Sequence, residues 1–332
     1  MGNAIAIGFG KAVKHSEAEQ LRQQLANDVT NLWIPPPNLK YYDAGSELFD
    51  SILADDTYYL ARKEQELIAL HHKSIMEFGD RDLEHIIIDL GSGSGQKIAP
   101  FLQEARDRFA GVRYVPIDTA QSAIDLCHEN MARDFPGLPV LSHTDSWEIA
   151  MNQKFYDSFT EANITVFFLG STIGNFSEEE STQFIDTFMD IFRDRNNARL
   201  VIMFDRAPSA DKPRSVIEDA YNIEAMIAID WHMSKAINEY LEIDIPLDKL
   251  KRCAHFDPHQ KALVRWMELT EDCTISHTTK QQPLVQLKSG TRIQTEISRK
   301  YDREDISNLA KQRKTDIWMT PDNYYMSVAF QA

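Results

Sequence analysis

Positive charge is what this chain of 332 residues has least of: 35 lysines and arginines stand against 51 aspartates and glutamates, a formal net charge of −16. That balance repels polyanions, so nucleic acid and anionic membrane surfaces are not expected as partners, while a small zwitterion or a cationic ligand is compatible. Cysteine is scarce too. Cys127, Cys253 and Cys273 are odd in number, far apart and form no CxxC pair, so no disulfide framework is expected and the reducing cytoplasm is the expected compartment. No apolar run approaches the ~18 residues of a membrane span. The first fifteen residues, MGNAIAIGFGKAVKH, have a short apolar start but no basic segment before it and no clear cleavage site, so a secretory leader is not expected. Gly2 is followed by Ala6 where a myristoylation signal has Ser or Thr. Repeats and low-complexity segments are absent. His71-His72 and His255 with His259 have no further ligands spaced to join them, and no metal is expected.

Apolar residues make up 43% of the chain, enough for a sizeable core. The most informative stretch is IIIDLGSGSGQK, residues 86–97. An apolar β-branched run ends in an acid, then comes a glycine loop, then Lys97 opens a helical pattern. This strand–turn–helix lets backbone approach a nucleotide-like ligand closely. The next strand is followed at once by Asp118, an acid placed to bind ribose hydroxyls. The loop glycines are Gly91, Gly93 and Gly95. Gln96 stands where a dinucleotide loop needs a small residue against the pyrophosphate, which favours S-adenosylmethionine (AdoMet) as the cofactor.

Strands are expected at 86–90, 112–117, 139–142, 164–169 and 200–204, with helices at 61–78, 97–109, 120–134 and 178–192 between and before them. Ser177 and Glu180 have the spacing of a capping box. The alternation predicts a parallel sheet covered by helices on both faces. After Asp205 the pattern changes to helical stretches at 216–228 and 231–241, then strand-like pieces at 262–270, 284–288 and 291–297. A helix near 303–311 and strands at 316–319 and 324–330 close the chain. A terminal antiparallel pair is usual for AdoMet-dependent methyltransferase sheets and not for nicotinamide-binding ones. The expected fold is therefore a class I, Rossmann-like α/β methyltransferase domain with a smaller α+β domain inserted in it.

LGSTIGNF, residues 169–176, follows the fourth strand. Ligands of open α/β sheets bind outside the carboxyl ends of the strands, so Gly170 and Asn175 belong where substrate meets cofactor. Asn175 offers both donor and acceptor to an amine or a carboxylate. On residues 291–298, period-two alternation puts Gln294, Glu296 and Ser298 on one face. An acid and a hydroxyl two residues apart can accept from one imidazole nitrogen and donate to the other; indole could use only the acid. An exposed polar strand face is the alternative reading of that pattern.

The chain resembles the histidine α-N-methyltransferases of ergothioneine biosynthesis and their fungal tryptophan-methylating relatives. The resemblance runs from about Tyr41 to the C-terminus, on YYDAGSELFD (41–50), TYYLARKE (57–64), LGSGSGQK (90–97), VPID (115–118), FLGSTIGNF (168–176), DAYN (219–222) and TEIS (295–298). It implies an AdoMet domain of residues 66–205 and 299–332 and a substrate domain of residues 15–65 and 206–298. It implies that Gly91, Gly93, Lys97, Asp118, Asp145 and Trp147 bind AdoMet. It also implies that Tyr58, Asn175 and Tyr221 grip the amino and carboxylate ends of a free amino acid, with Gly170 nearby. Tyr42 would lie close to the reacting amine, Glu296 and Ser298 would bond an imidazole, and Met267 would pack on the side chain. Tyr42 and Asn175 are thus the expected catalytic pair. The loop after Tyr42 is one residue shorter than the usual YDxxGS, and Leu60 replaces the proline that usually follows the paired tyrosines. The expected activity is AdoMet-dependent methylation of the α-amino group of a free aromatic amino acid, histidine first and tryptophan second, by a monomer. The alternatives are a nicotinamide oxidoreductase, disfavoured by Gln96 and the terminal strand pair, and a non-catalytic AdoMet- or amino-acid-binding relative, disfavoured by intact Tyr42, Lys97, Asn175 and Glu296.

Overall fold

The computed structural model describes residues 45–159, 161–279 and 283–331. Tyr42 lies outside the described residues. The described chain divides into two compact units, one of residues 60–212 and 299–331 and one of residues 45–59 and 213–298. They are called the sheet unit and the inserted unit.

Helices α1 (Gly45–Ala54) and α2 (Tyr59–Ile75) come first. Then β1 (Glu84–Leu90), α3 (Ala99–Arg108), β2 (Gly111–Asp118), α4 (Gln121–Asp134), β3 (His143–Thr144), β4 (Asn163–Phe168), α5 (Glu178–Phe192) and β5 (Ala198–Asp205) alternate. The inserted unit carries α6 (Arg214–Ala220), α7 (Glu224–Leu241), β6 (Leu250–Asp257), β7 (Ala262–Leu269), β8 (Cys273–Ser276), β9 (Pro283–Leu287) and β10 (Arg292–Arg299). The chain ends with α8 (Arg303–Ala310), β11 (Lys314–Met319) and β12 (Tyr325–Gln331).

In the sheet unit the strand order is β11-β12-β5-β4-β1-β2-β3. The five strands from β3 to β5 are parallel, and β12 runs antiparallel between β5 and β11. Buried strands of this kind alternate between two cores. Ile86, Ile88 and Leu90 join Phe168, Phe184 and Phe204 on one face; Ile87 joins Tyr114, Phe167 and, from α2, Leu67 and Ile68 on the other. All parallel strands end on the same edge, where the glycine loop, Asp118 and the segment after β4 emerge. The capping box at the start of α5 is formed, with Ser177 Oγ accepting from Glu180 N–H at 3.1 Å and Glu180 accepting from Ser177 N–H at 2.7 Å.

The strand expected at 139–142 is instead a single bridge, Tyr114 to Val140, followed by the two residues of β3. Tyr114 N–H donates toward this edge, to Pro139 O at 2.9 Å. Pro116, two residues on and facing the same edge, has no N–H to continue the ladder. The two helices expected at 216–228 and 231–241 break earlier, at Tyr221–Ile223, because Tyr221 is buried against Ser298 and the Asn222 amide closes α6 on Glu218 O at 2.9 Å. β6 is not foreseen from its mixed sequence LKRCAHFD. In the inserted unit β10-β7-β6 form one sheet and β8-β9 a hairpin, over a core that includes Ile237, Leu241, Leu250, Met267 and Ile275.

The units change hands at residues 59/60 and 212/213 rather than 65/66 and 205/206. Leu67, Ile68 and Ile75 of α2 pack into the core of the sheet unit. Residues 206–212 are held by Lys212, whose ammonium is fully buried against Asp205 (2.5 Å) and the carbonyls of Arg206 (2.7 Å) and Tyr324 (3.3 Å). Lys300, where the chain returns, reaches the other Asp205 oxygen at 2.7 Å and is also fully buried. Burial lowers the Lys212 ammonium to about 8 despite Asp205, from its usual 10.5. Asp205→Asn leaves two buried cations without their anion and is expected to cost about 3–5 kcal/mol in urea unfolding at pH 7. Asp205 holds the folded-state pKa of Lys212 up at about 8, and its loss lowers that pKa further, so the Lys212 part of the deficit shrinks as pH rises toward about 8 and is gone above it. A variant as stable as the parent at pH 7 contradicts this reading.

Candidate active site

β1 delivers the glycine loop. Gly91 and Ser92 both donate N–H to Ile117 O, at 2.9 and 3.1 Å, so the loop is sewn to the end of β2. Gly91 and Gly93 have φ of +72° and +53°, and a Cβ at either would meet nothing within 4 Å. Their backbone therefore faces open space. Gly95 is needed for a different reason, since a Cβ there would come within 2.8 Å of Cys127 Sγ. Asn130 pins the loop from α4, donating to Ser94 O at 2.9 Å. The buried Ser92 hydroxyl has no hydrogen-bond partner among the described residues.

Asp118 closes the loop's rim. Its carboxylate accepts from Gly93 N–H at 2.9 Å and Ala120 N–H at 3.0 Å. Asp145 is exposed beside it, its N–H donating to Asp118 O at 3.0 Å. Trp147 opens a 3-10 turn and packs its ring on Phe168, Phe176 and Phe184, with centroids 5.2–5.9 Å away. An open glycine cradle edged by a carboxylate suits a ribose diol, which donates two hydrogen bonds.

Lys97 follows the loop, and its ammonium lies 2.6 Å from Glu64. Glu64, on α2, is only 2% exposed, and it also accepts from Gly170 N–H and, at 3.5 Å, from Tyr325 O–H. Sequence reasoning missed Glu64 as a site residue. Its signal was present: a lone acid on the buried stripe of Tyr59, Leu60, Leu67 and Ile68. After β4, Gly170 and Ser171 are both left-handed, at φ +76° and +55°, and a 3-10 turn runs from Thr172 to Asn175. Ser171 Oγ accepts from Asp205 N–H at 2.8 Å. The half-buried Asn175 amide makes no hydrogen bond with the described residues. The structure thus brings Gly91, Gly93, Lys97, Asp118, Asp145, Trp147, Gly170 and Asn175 to the loops at the strand ends of the sheet unit.

The other expected residues belong to the inserted unit. Tyr221 O–H and Ser298 Oγ are 2.8 Å apart and buried. Tyr58 packs edge-on against Tyr221, with ring centroids 5.8 Å apart. Glu296, half-buried, is ion-paired with the buried guanidinium of Arg265. Met267 is 1% exposed in the unit's core between Leu250, Leu269 and their neighbours. Arg265 and Asp230, which build this part of the site, were not singled out from the sequence; on one sequence they read as ordinary charged residues.

A family described as histidine-specific methyltransferase, SAM-dependent, matches residues 18–332. The chain belongs to this family. It is 24% identical to the histidine N-alpha-methyltransferase of Mycolicibacterium smegmatis over 312 residues, 92% of this chain and 93% of that protein. It is likewise 24% identical to the histidine N-alpha-methyltransferase of Mycobacterium tuberculosis over 233 residues, 70% and 69% of the two chains. An N-methyltransferase of Aspergillus fumigatus is 21% identical over 305 residues, 87% of this chain and 77% of that one. The protein is a class I methyltransferase that uses AdoMet, and the strand order, with its reversed penultimate strand, is the sheet of that class.

The methyltransferase holds an unusual acid beneath its loop. Asp89, last but one in β1, is 2% exposed, and burial pushes its carboxyl up to about 7. The hydrogen bond from Tyr114 O–H (3.0 Å) and the Lys97 ammonium oppose that rise; the carboxylates of Asp118 and Glu64 add to it. AdoMet carries a net positive charge, which favours the ionised acid. The pKa is raised in the free protein, so binding releases a proton and affinity climbs as pH rises through about 7. Equilibrium dialysis is expected to show AdoMet bound about tenfold more tightly at pH 8 than at pH 6, and Asp89→Asn to abolish that slope. A slope unchanged in the variant assigns it to another group.

Proposed function

We propose that this enzyme transfers the AdoMet methyl group to the α-amino group of free L-histidine. The observation that carries the choice of side chain is the pairing of a charge-compensated acid, Glu296, with a hydroxyl pair, Tyr221 and Ser298, in one unit. With Tyr221 donating to Ser298, the serine hydroxyl is suited to donate to one imidazole nitrogen and the Glu296 carboxylate to accept from the other. Indole has no acceptor nitrogen and cannot satisfy the serine.

AdoMet supplies the electrophilic methyl. The chain's task is to bind the amine neutral and hold it in line, which is worth several powers of ten in rate. Asn175 is suited to accept an amine N–H through its amide oxygen, Tyr221, its proton given to Ser298, to accept another through its phenol oxygen, and Tyr58 to hold the substrate carboxylate without a basic residue. Asp118 is suited to the ribose and Lys97, held by Glu64, to the carboxylate of the cofactor. Tyrosine faces favour a methylated ammonium by roughly 0.5–2 kcal/mol. We assign the same role to Tyr42 as the resemblance does, beside the amine. The net charge and the three unpaired cysteines support a cytoplasmic enzyme acting as a monomer on a free small molecule; among the described residues no helix is long and apolar enough to cross a membrane.

Mass spectrometry of reactions with AdoMet and each of the twenty amino acids in turn tests this directly. Methylated histidine is expected, with the mass series giving the number of methyl groups. Methylated tryptophan alone, or silence on all twenty, overturns the proposal. Glu296→Ala is expected to raise KM for histidine and to lower the histidine-over-tryptophan ratio of kcat/KM by about tenfold or more, because a buried polar contact made by one substrate only is lost. An unchanged ratio removes Glu296 from the side-chain pocket.

A further inference from the structure

Asp230, on α7, is fully buried and holds two arginines from neighbouring strands. One carboxylate oxygen accepts from Arg252 Nε of β6 at 2.8 Å; the other lies 2.8 Å from Arg265 Nη1 of β7 and accepts from Thr295 O–H at 3.1 Å. Each arginine reaches on to a different residue of the proposed amino-acid site. Arg252 donates to Tyr221 O at 2.5 Å and to the Asn222 side chain at 2.6 Å. Arg265 pairs with Glu296. Two guanidinia and two carboxylates balance, as buried charges must.

We infer that Asp230, Arg252 and Arg265 form a brace that sets the spacing between Tyr221 and Glu296, and that Arg265 is a specificity-determining positioning residue acting through Glu296. The inference rests on the histidine reading above. Guanidinium forks hold their acceptors in fixed directions. Tyr221 therefore takes its backbone position from the same buried aspartate that holds Arg265 where it ion-pairs with Glu296. Because Arg265 already neutralises Glu296, the acid is poised to accept from a neutral N–H rather than to recruit a cation. That selects a heteroaromatic side chain over lysine or arginine. The two arms make different demands on the substrate. The Arg252 arm serves the end shared by all amino acids; the Arg265 arm serves the side chain.

The test compares Arg265→Met, Arg265→Lys and Arg252→Met for KM and kcat with histidine and tryptophan, with calorimetric histidine binding and circular dichroism alongside. Arg265→Met is expected to raise KM for histidine and lower the histidine-over-tryptophan ratio about tenfold with kcat little changed, and Arg265→Lys to restore part of it. Arg252→Met is expected to raise KM for both substrates by a similar factor and leave the ratio unchanged. In a Glu296→Ala background, Arg265→Met is expected to have no further effect on the ratio, the mark of one residue acting through another. A folded Arg265→Met protein with an unchanged ratio, or a drop that adds in full to that of Glu296→Ala, overturns the brace. If Arg265→Met does not fold, the Arg265→Lys and Glu296→Ala cycle decides in the same way. If the parent enzyme methylates some other amino acid and not histidine, the histidine reading falls; the same variants, measured on that amino acid, still decide whether Arg265 acts through Glu296.

Discussion

One buried carboxylate ties together the working edge of the sheet unit. Glu64 comes from α2, a helix whose remaining inward residues are apolar, and it meets an ammonium from the glycine loop, an amide from the segment after β4 and a phenol from β12. A carboxylate this deep is tolerated only when paired and hydrogen-bonded, and removing its partners leaves a buried charge uncompensated. The pairing is therefore mutual. Lys97 and the left-handed turn at Gly170 give Glu64 its partners, and Glu64 gives them fixed positions. The strands supply a rigid edge; the acid fixes what stands on it.

The same economy recurs where the chain leaves the sheet unit and returns. Asp205 ends β5, receives Lys212 on the way out and Lys300 on the way back, and donates its N–H to Ser171. Both roots of the insertion are fastened to one residue, which is also bonded to the loop carrying Asn175. Inserting more than eighty residues into a parallel sheet is compatible with an ordered strand edge because the two crossing segments are tied off inside the sheet unit before the insertion begins.

What the sequence made legible follows from periodicity and backbone requirement. The glycine loop, the parallel strands, the Ser177 cap and the reversed terminal pair each depend on a local pattern, and local patterns survive without an alignment. Two kinds of feature escaped. Strand β6 is half-exposed and carries polar residues on both faces, so no period marks it; the break at Tyr221 exists because a tyrosine finds a partner 77 positions away. Glu64, Asp230 and Arg265 were hidden for the same reason. Their importance is a property of long-range charge pairing, and one sequence does not record which acid meets which base. Met267, which the resemblance sets against the substrate side chain, is buried among the core residues of the inserted unit.

A polar brace in the inserted unit has an energetic cost. Replacing a buried ion network by well-packed apolar side chains of similar volume is commonly neutral or stabilising. An apolar brace over Tyr221 and Glu296 would hold the fold equally well, but it would leave the Glu296 carboxylate uncompensated, and such an acid either takes up a proton or attracts a cation. In neither state does it select a neutral imidazole N–H. In the proposed brace, the Asp230 network exchanges stability that the core could have had for a Glu296 carboxylate paired with Arg265. That combination is what discrimination between imidazole, indole and the basic side chains requires.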